Sequence, residues 1–336
     1  MESSKDNKFS ICVVIPAYNI AEFVGRAIDS VLTQTHKPDE IIVVDDGSGD
    51  STAEVIKSYG TKVRYIYQEN AGLSAARNTG IKAAGSEWIA LLDGDDNWLP
   101  QFLQLHLGVI QQNPNLMWST GNYITYSYAD DRKAPYFTQS QIQKLLGRNN
   151  YFESYLHAYT LGTTNPPSTM LIKSQVFDDA GLFQHGLRFA EDWDMWMRIA
   201  YRWPKIGYVS EPISVYYLDR PDSLMYGTAN TEKIKTNCEL IDRHLKLSAE
   251  YGKNEQFQKC ATFMLRRWIR GMLFHNLPDD IRDILMRYDS LLPNYYKMFM
   301  KLLITFPKTT ANICHLISRI IRCFNLRRRV VRRPQQ

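Results

Sequence analysis

Four absences narrow what this 336-residue chain can be. Met1 to Phe9 is polar and runs straight into an apolar stretch, without the basic start and apolar core of a secretory leader, so a cytosolic protein is expected. The five cysteines (Cys12, Cys238, Cys260, Cys314, Cys323) are odd in number, scattered and never spaced Cys-x-x-Cys. That pattern argues against both a disulfide framework and a zinc site and leaves reduced thiols in packed positions. No Gly-x-Gly-x-x-Gly follows the first apolar run and no Gly-x-x-x-x-Gly-Lys-Ser/Thr occurs anywhere, which speaks against dinucleotide-linked dehydrogenases and P-loop enzymes. Acidic residues are missing from Lys301 onward, where nine Lys and Arg stand without an Asp or Glu. The formal charge of +5 therefore belongs to the tail, and the rest of the chain is net acidic.

The chain is 44% hydrophobic and 22% charged, an ordinary globular balance with ample length for a core. One large domain with an appendage, or two domains, is expected. Phe9–Ile15 reads as a buried strand closed by Pro16, since proline cannot continue a central ladder. A helix follows over 21–34 by its apolar spacing, then a strand over 40–44 ending in Asp45-Asp46-Gly47-Ser48. Ser51-Thr-Ala-Glu54 has the form of a capping box opening the next helix. Strands over 63–67 and 88–92 bracket a helix over 74–84. Strands and helices alternating at these separations predict an α/β fold with a mostly parallel sheet sandwiched by helices. Ligands of such sheets bind beyond the carboxyl ends of the strands, where Pro16-Ala17-Tyr18-Asn19, Asp45-Asp46, Gln68 to Gly72 and Asp93 to Asp96 all fall.

Two acidic clusters stand out. In Glu87-Trp-Ile-Ala-Leu-Leu-Asp-Gly-Asp-Asp96 an apolar run ends in Asp93, Asp95 and Asp96. Carboxylates so close repel one another unless a cation sits among them, and a hard divalent metal completed by phosphate oxygens and water would resolve the conflict. The alternative is a solvated turn capping a helix that starts near Leu99. In Phe189-Ala-Glu-Asp-Trp-Asp-Met-Trp-Met-Arg-Ile199, Glu191, Asp192 and Asp194 crowd the first turn of a helix. They either complement its dipole or hold a general base at the pocket. Ten aromatic residues between Trp118 and Tyr159 are read as packing, with stacking on sugar rings or bases the other reading.

Six motifs in order resemble the family-2 glycosyltransferases of GT-A type, from about Phe9 to Ser223: Val13-Val-Ile-Pro-Ala-Tyr-Asn19, Ser30-Val-Leu-Thr-Gln-Thr35, Ile42-Val-Val-Asp-Asp-Gly-Ser48, Asn70 to Gly80, Leu91-Leu-Asp-Gly-Asp-Asp96 and Glu191 to Arg198. The resemblance implies an inverting transferase that moves a sugar from a nucleotide-diphosphate donor, a UDP-sugar by preference, to a glycan or lipid-linked acceptor, in cell-surface polysaccharide synthesis. By the same resemblance Pro16, Ala17, Tyr18 and Asp46 would recognise the base, Asp45 would belong to the donor-nucleotide site, and Arg77 would lie toward the diphosphate. Asp93 and Asp95 would serve the donor, Asp95 and Asp96 would hold Mn2+ or Mg2+, and Asp192, with Glu191 beside it, would be the base. Arg220 and Ser223 fall where the family often closes a basic segment over the diphosphate. Gln184-His185 stands where relatives often carry an acid, and a plain loop role for His185 is favoured. A catalytically idle nucleotide-sugar-binding scaffold is the alternative. A nucleotidyltransferase is a third reading, against which the missing Gly-x-Gly-Thr/Ser-Arg loop speaks.

On this basis residues 1–226 are expected to form the catalytic domain, with a donor half over 9–97 and an acceptor half over 98–226. Residues 227–294 form a helical extension, with helices near 230–250, 255–275 and 279–290. In the tail, 295–336, two apolar runs flanked by basic residues are each shorter than the ~20 residues that span a bilayer. They suit an anionic membrane surface, with packing on the catalytic domain or a dimer contact as alternatives. RNA binding is a poorer third reading, because no nucleic-acid motif accompanies the charge.

Overall fold

The computed structural model describes residues 9–129, 131–218, 231–310 and 312–313. The chain divides into two compact units, Met1–Tyr226 and Gly227–Gln336. Among the described residues of the first unit ten strands form one sheet: β1 Ile11–Ala17, β2 Glu40–Asp45, β3 Arg64–Tyr67, β4 Trp88–Leu91, β5 Asn97–Trp98, β6 Trp118–Ser127, β7 Arg132–Pro135, β8 Tyr151–Phe152, β9 Leu171–Lys173 and β10 Ile206–Leu218. Their order is β3-β2-β1-β4-β9-β6-β10-β5, with β7 beside β6 and β8 beside β10.

The first four strands are parallel, as their alternation with helices predicts. Side chains alternate faces along β1. Val13 and Ile15 join Val24, Ile28 and Ile56 in one apolar cluster under the helices Ala21–Leu32 and Thr52–Lys57. Val14 faces the opposite helix, Leu73–Ala83, so closely that a Cβ on Gly80 would lie 2.4 Å from its Cγ1. Glycine is what lets that helix settle on the sheet.

Beyond β4 the sheet is mixed. β9 pairs antiparallel with β4 and β6, whereas β6 and β10 run parallel to each other. β10 bulges around Val209–Ser214 before reaching Leu218.

Two local expectations fail for identifiable reasons. β1 does not stop at Pro16 but pairs with β2 through Ala17. Its odd-numbered residues bond toward β2 and its even-numbered ones toward β4, as the Asp46 N–H to Ala17 and Leu92 N–H to Val14 bonds mark. Pro16 is even, and its missing N–H falls past Leu91, the last paired residue of β4. Ser51 makes no side-chain cap. Asp50 takes that place, its Oδ1 accepting the Thr52 N–H at 3.0 Å and its Oδ2 the Ala21 N–H at 3.2 Å.

In the second unit the helices Thr231–Glu250, Asn254–Phe274 and Pro278–Arg287 bury an apolar core that includes Ile241, Phe257, Leu265 and Ile284. A fourth helix, Asn294–Leu303, follows. Cys12, Cys238 and Cys260 are buried and in no disulfide, while Cys314 and Cys323 lie outside the described residues. No helix among the described residues is long and apolar enough to cross a membrane.

Candidate active site

The ends of the parallel strands supply the first wall. At β1 the chain turns at Asn19, whose backbone is left-handed (φ 49°), and leaves Tyr18 50% exposed on the rim. The turn is held to the one after β2 by the Asn19 N–H donating to Ser48 Oγ and the Gly49 N–H donating to Asn19 Oδ1. Gly47 is left-handed too (φ 77°), and a Cβ there would meet the Asn70 nitrogen at 2.8 Å.

Asp45 and Asp46 do not project into open space. Asp45 accepts from the Ser48 N–H and the Tyr65 hydroxyl, and burial together with that carboxylate pushes the phenol up to about 12. Asp46, 3% exposed, accepts from Gln68 Nε2 at 2.6 Å, the Ala71 N–H at 2.9 Å and the Gly72 N–H at 2.8 Å. A base-reading role leaves Asp46 little room, because its carboxylate is engaged in fixing the loop over 68–72.

The turn after β4 closes with the Asp96 N–H donating to the Asp93 carbonyl. Arg26 donates to the Asp95 carbonyl at 2.7 Å while its guanidinium lies 3.9 Å over the Tyr217 ring. Asp96 is 2% exposed; its Oδ2 accepts from the Ser168 hydroxyl and its Oδ1 from the Tyr217 N–H at 3.4 Å. Burial, and then the charges of Asp95 and Asp93, hold Asp96 well above the usual carboxylate range. Asp93 and Asp95 are half-buried.

The second acidic cluster meets this turn through Arg77. Its guanidinium, 1% exposed, donates from Nη2 to Asp93 Oδ1 at 2.6 Å and from Nη1 to Glu191 Oε1 at 2.8 Å. A buried guanidinium needs charged partners, and two protein carboxylates already supply them. The helix Glu191–Arg202 starts after Ala190, whose left-handed backbone (φ 58°) costs on the order of 1 kcal/mol. Asp192, at its first turn, is pushed up to about 7 by burial and by the neighbouring Glu191 charge, against the lowering influence of Arg77. Asp194 is fully buried and paired with Arg198, which also donates to the Ala180 and Leu182 carbonyls.

Several of these partners escaped the sequence reading. Arg26 and Ser168 carry no motif. Tyr216 is pushed up by burial and by Asp96, Asp93, Asp192 and Asp95, so its hydroxyl shares their neighbourhood. Asn78 lies in the Asn70 to Gly80 motif and clamps Phe183, donating to its carbonyl at 2.8 Å and accepting its N–H at 2.9 Å. His185 is exposed and meets Asn78 Nδ2 at 3.3 Å. Arg220 and Ser223 lie outside the described residues.

The carboxyl ends of the parallel strands, an acidic turn and a second acidic helix start are thus one constellation. The family description Glycosyl transferase family 2 matches residues 12–180, which contain the first five of the six motifs. The chain belongs to glycosyl transferase family 2. Within this family it is 33% identical over 198 residues to an uncharacterized glycosyltransferase of Rickettsia typhi, a match covering 58% of this chain and 60% of that one. It is also 33% identical over 186 residues to the uncharacterized glycosyltransferase EpsJ of Bacillus subtilis, covering 54% and 53%. The matches thus span little more than half the length of these relatives. Residues 1-349 of Staphylococcus aureus TarS, solved with UDP-GlcNAc, superpose with a TM-score of 0.67 over 91% of this chain and 89% of that one, at 17% identity. That likeness shows the GT-A fold.

The acidic turn also fits a divalent cation by its donor chemistry. Asp96 is a buried carboxyl that no Lys or Arg pairs with among the described residues, beside two further carboxylates that oppose its ionisation. No group of three His, Cys, Asp or Glu encloses a metal among the described residues. An ion here would take one or two carboxylates, with the rest of its shell from phosphate oxygens and water, the habit of Mg2+.

Proposed function

We propose that the protein transfers a glycosyl group from a nucleotide-diphosphate sugar, a UDP-sugar by preference, to a hydroxyl of a glycan or lipid-linked acceptor, with inversion, in cell-surface polysaccharide synthesis. The observation that carries this reading is the Asp93–Arg77–Glu191 bridge with Asp192 beside it. A carboxyl pushed up to about 7 stands at the junction of both acidic motifs, close to the operating pH at which a general base is most effective.

In this reading residues 9–97 bind the donor and residues 98–226 present the acceptor. Tyr18 on the rim, with Pro16 and Ala17 behind it, receives the base, and Asp45 and Asp46 hold the surrounding turns in shape. Asp192 takes the proton of the acceptor hydroxyl. The oxygen attacks the anomeric carbon on the face opposite the nucleoside diphosphate, which leaves with the electrons of the broken bond. When bound, Mn2+ or Mg2+ at Asp95 and Asp96 neutralises charge on that leaving group. Arg77 holds Glu191 and Asp93 in place, and alignment of the reactants supplies much of the acceleration. The basic tail, 295–336, keeps the reaction at the cytosolic membrane face.

Calorimetric titration with UDP, with and without Mn2+, tests the donor site. Binding that needs both the ion and the carboxylates removed in Asp95→Ala/Asp96→Ala supports it. UDP binding indifferent to both would overturn the assignment of the acidic turn.

A further inference from the structure

The helix Asn294–Leu303 is amphipathic in sequence, and the structure turns its apolar side outward. Tyr295, Met298, Phe299 and Leu302 recur at i, i+3, i+4 and i+7, the spacing of one helical stripe, with Phe306 just beyond. Met298 is 72% exposed and Leu302 65%. The inward side carries Met300 and, against habit, Lys297, whose ammonium donates to the Asp289 carbonyl at 2.9 Å and pairs with its carboxylate. A lysine is spent inside while five large apolar side chains face out.

The cations around the stripe come from elsewhere. Arg266 donates to the Tyr295 hydroxyl and lies 5.1 Å over the Tyr296 ring. Arg270, one turn further along the same helix, is exposed, and it joins Arg266 in lowering the Tyr296 phenol against the larger effect of burial. Lys301 is exposed beside the stripe, and the sequence from there on adds eight more Lys and Arg and no acid. An apolar stripe bordered by cations matches a surface that is apolar beneath and anionic above.

We propose that this outward stripe is a membrane-docking face: Met298, Phe299 and Leu302 enter the interface of an anionic bilayer while Arg266, Arg270 and Lys301 meet its headgroup phosphates. The inference deepens the membrane part of the proposed function by assigning it to a folded helix rather than to tail charge alone. A charged tail by itself would be held only electrostatically, whereas an inserted stripe adds apolar burial that salt does not screen.

The test is co-sedimentation of the full-length protein with vesicles of phosphatidylglycerol and phosphatidylcholine, and of phosphatidylcholine alone, over a salt series. Wild type should pellet with the anionic vesicles and retain part of that binding at high salt. Met298→Asp/Phe299→Asp/Leu302→Asp should lose roughly tenfold or more of the partitioning, with melting temperature and UDP affinity unchanged. The milder Met298→Ser/Leu302→Ser pair serves if the triple variant melts early. Stripe variants that pellet like wild type would overturn the docking face and leave a tail-driven association standing. A wild type that pellets with neither vesicle would overturn both. A concentration-dependent dimer that the stripe variants abolish, without vesicle binding, would assign the face to a second copy and likewise overturn the proposal. UDP affinity, measured on the same samples, reports separately on the donor site.

Discussion

The acidic turn over 93–96 and the helix start over 191–194 look alike in sequence, three carboxylates within four positions, and the structure distributes them alike up to a point. Each gives one acid to Arg77, Asp93 from the first and Glu191 from the second. Each buries one, Asp96 and Asp194. The difference lies in what neutralises the buried one. Asp194 has Arg198; Asp96 has a hydroxyl and a distant amide. The second cluster therefore pairs its buried acid with a cation, while in the first no Lys or Arg among the described residues pairs with Asp96. One buried acid is answered by a guanidinium and the other is held well above the usual carboxylate range, and Asp192, left over at the second cluster, is raised as well.

Replacing the leftover acid should have the largest effect. Asp192→Asn is expected to lower transfer by about 10²–10⁴-fold while UDP affinity in calorimetry stays the same. Full activity would remove Asp192 from the chemistry. Next is the residue both clusters share. Arg77→Ala leaves Asp93 and Glu191 mostly buried and unpaired, and should cost ~3–5 kcal/mol in urea denaturation. A loss below about 1 kcal/mol would mean that the bridge does not join the clusters.

The contrast between the two buried acids comes third. Asp194→Ala strands the Arg198 charge and should destabilise by roughly 3 kcal/mol, whereas Asp96→Asn should fall within about 1 kcal/mol of wild type and forfeit metal-dependent UDP binding. Equal losses would erase the distinction. The last contrast is in pH. Asp192 titrates higher in the folded chain, at about 7, than its ordinary value of 3.8, so the folded state binds that proton more tightly. Its contribution to stability is complete at low pH and is lost as pH rises from about 4 through about 7. The melting temperature of Asp192→Asn should thus gain on wild type between about pH 5 and about pH 8, while wild-type turnover rises over the same range as the base is freed. A gap that narrows with pH would contradict a raised Asp192.

Much of the first half of the fold is legible in the chain itself. β1, β2 and β4 are apolar runs and β3 a short β-branched and aromatic one, alternating with helices, which is a local signal. The other half is not, because β9 pairs with β4 and β6, and β10 with β6, across about 50 to 90 residues, and nothing local marks β9 as antiparallel. The Tyr-rich stretch after Trp118 hides a ten-residue strand, since its aromatics serve both faces. At the site, the two acidic clusters are visible, but which carboxylate does what depends on partners far along the chain. Arg77 is visible as a cation within a motif, but its bridge to Glu191, 114 residues away, is not. Arg26, Ser168 and Tyr216 carry no motif and become site residues only through the fold.

The helix Leu73–Ala83 has a consequence for how this chain can vary. Asp46 grips the amides just ahead of it, Arg77 bridges the two clusters from its second turn, and Asn78 clamps Phe183 one residue later. Those three attachments lie within eight residues that run into a rigid spiral, where a single inserted residue turns everything downstream by about 100°. A change of length along this stretch is costly even where every side chain is kept, because it would misdirect Arg77 and Asn78 together. The spacing from residue 71 to residue 78 is as much a part of the site as the side chains, whereas the turn over 84–87, which holds none of them, is where length can drift.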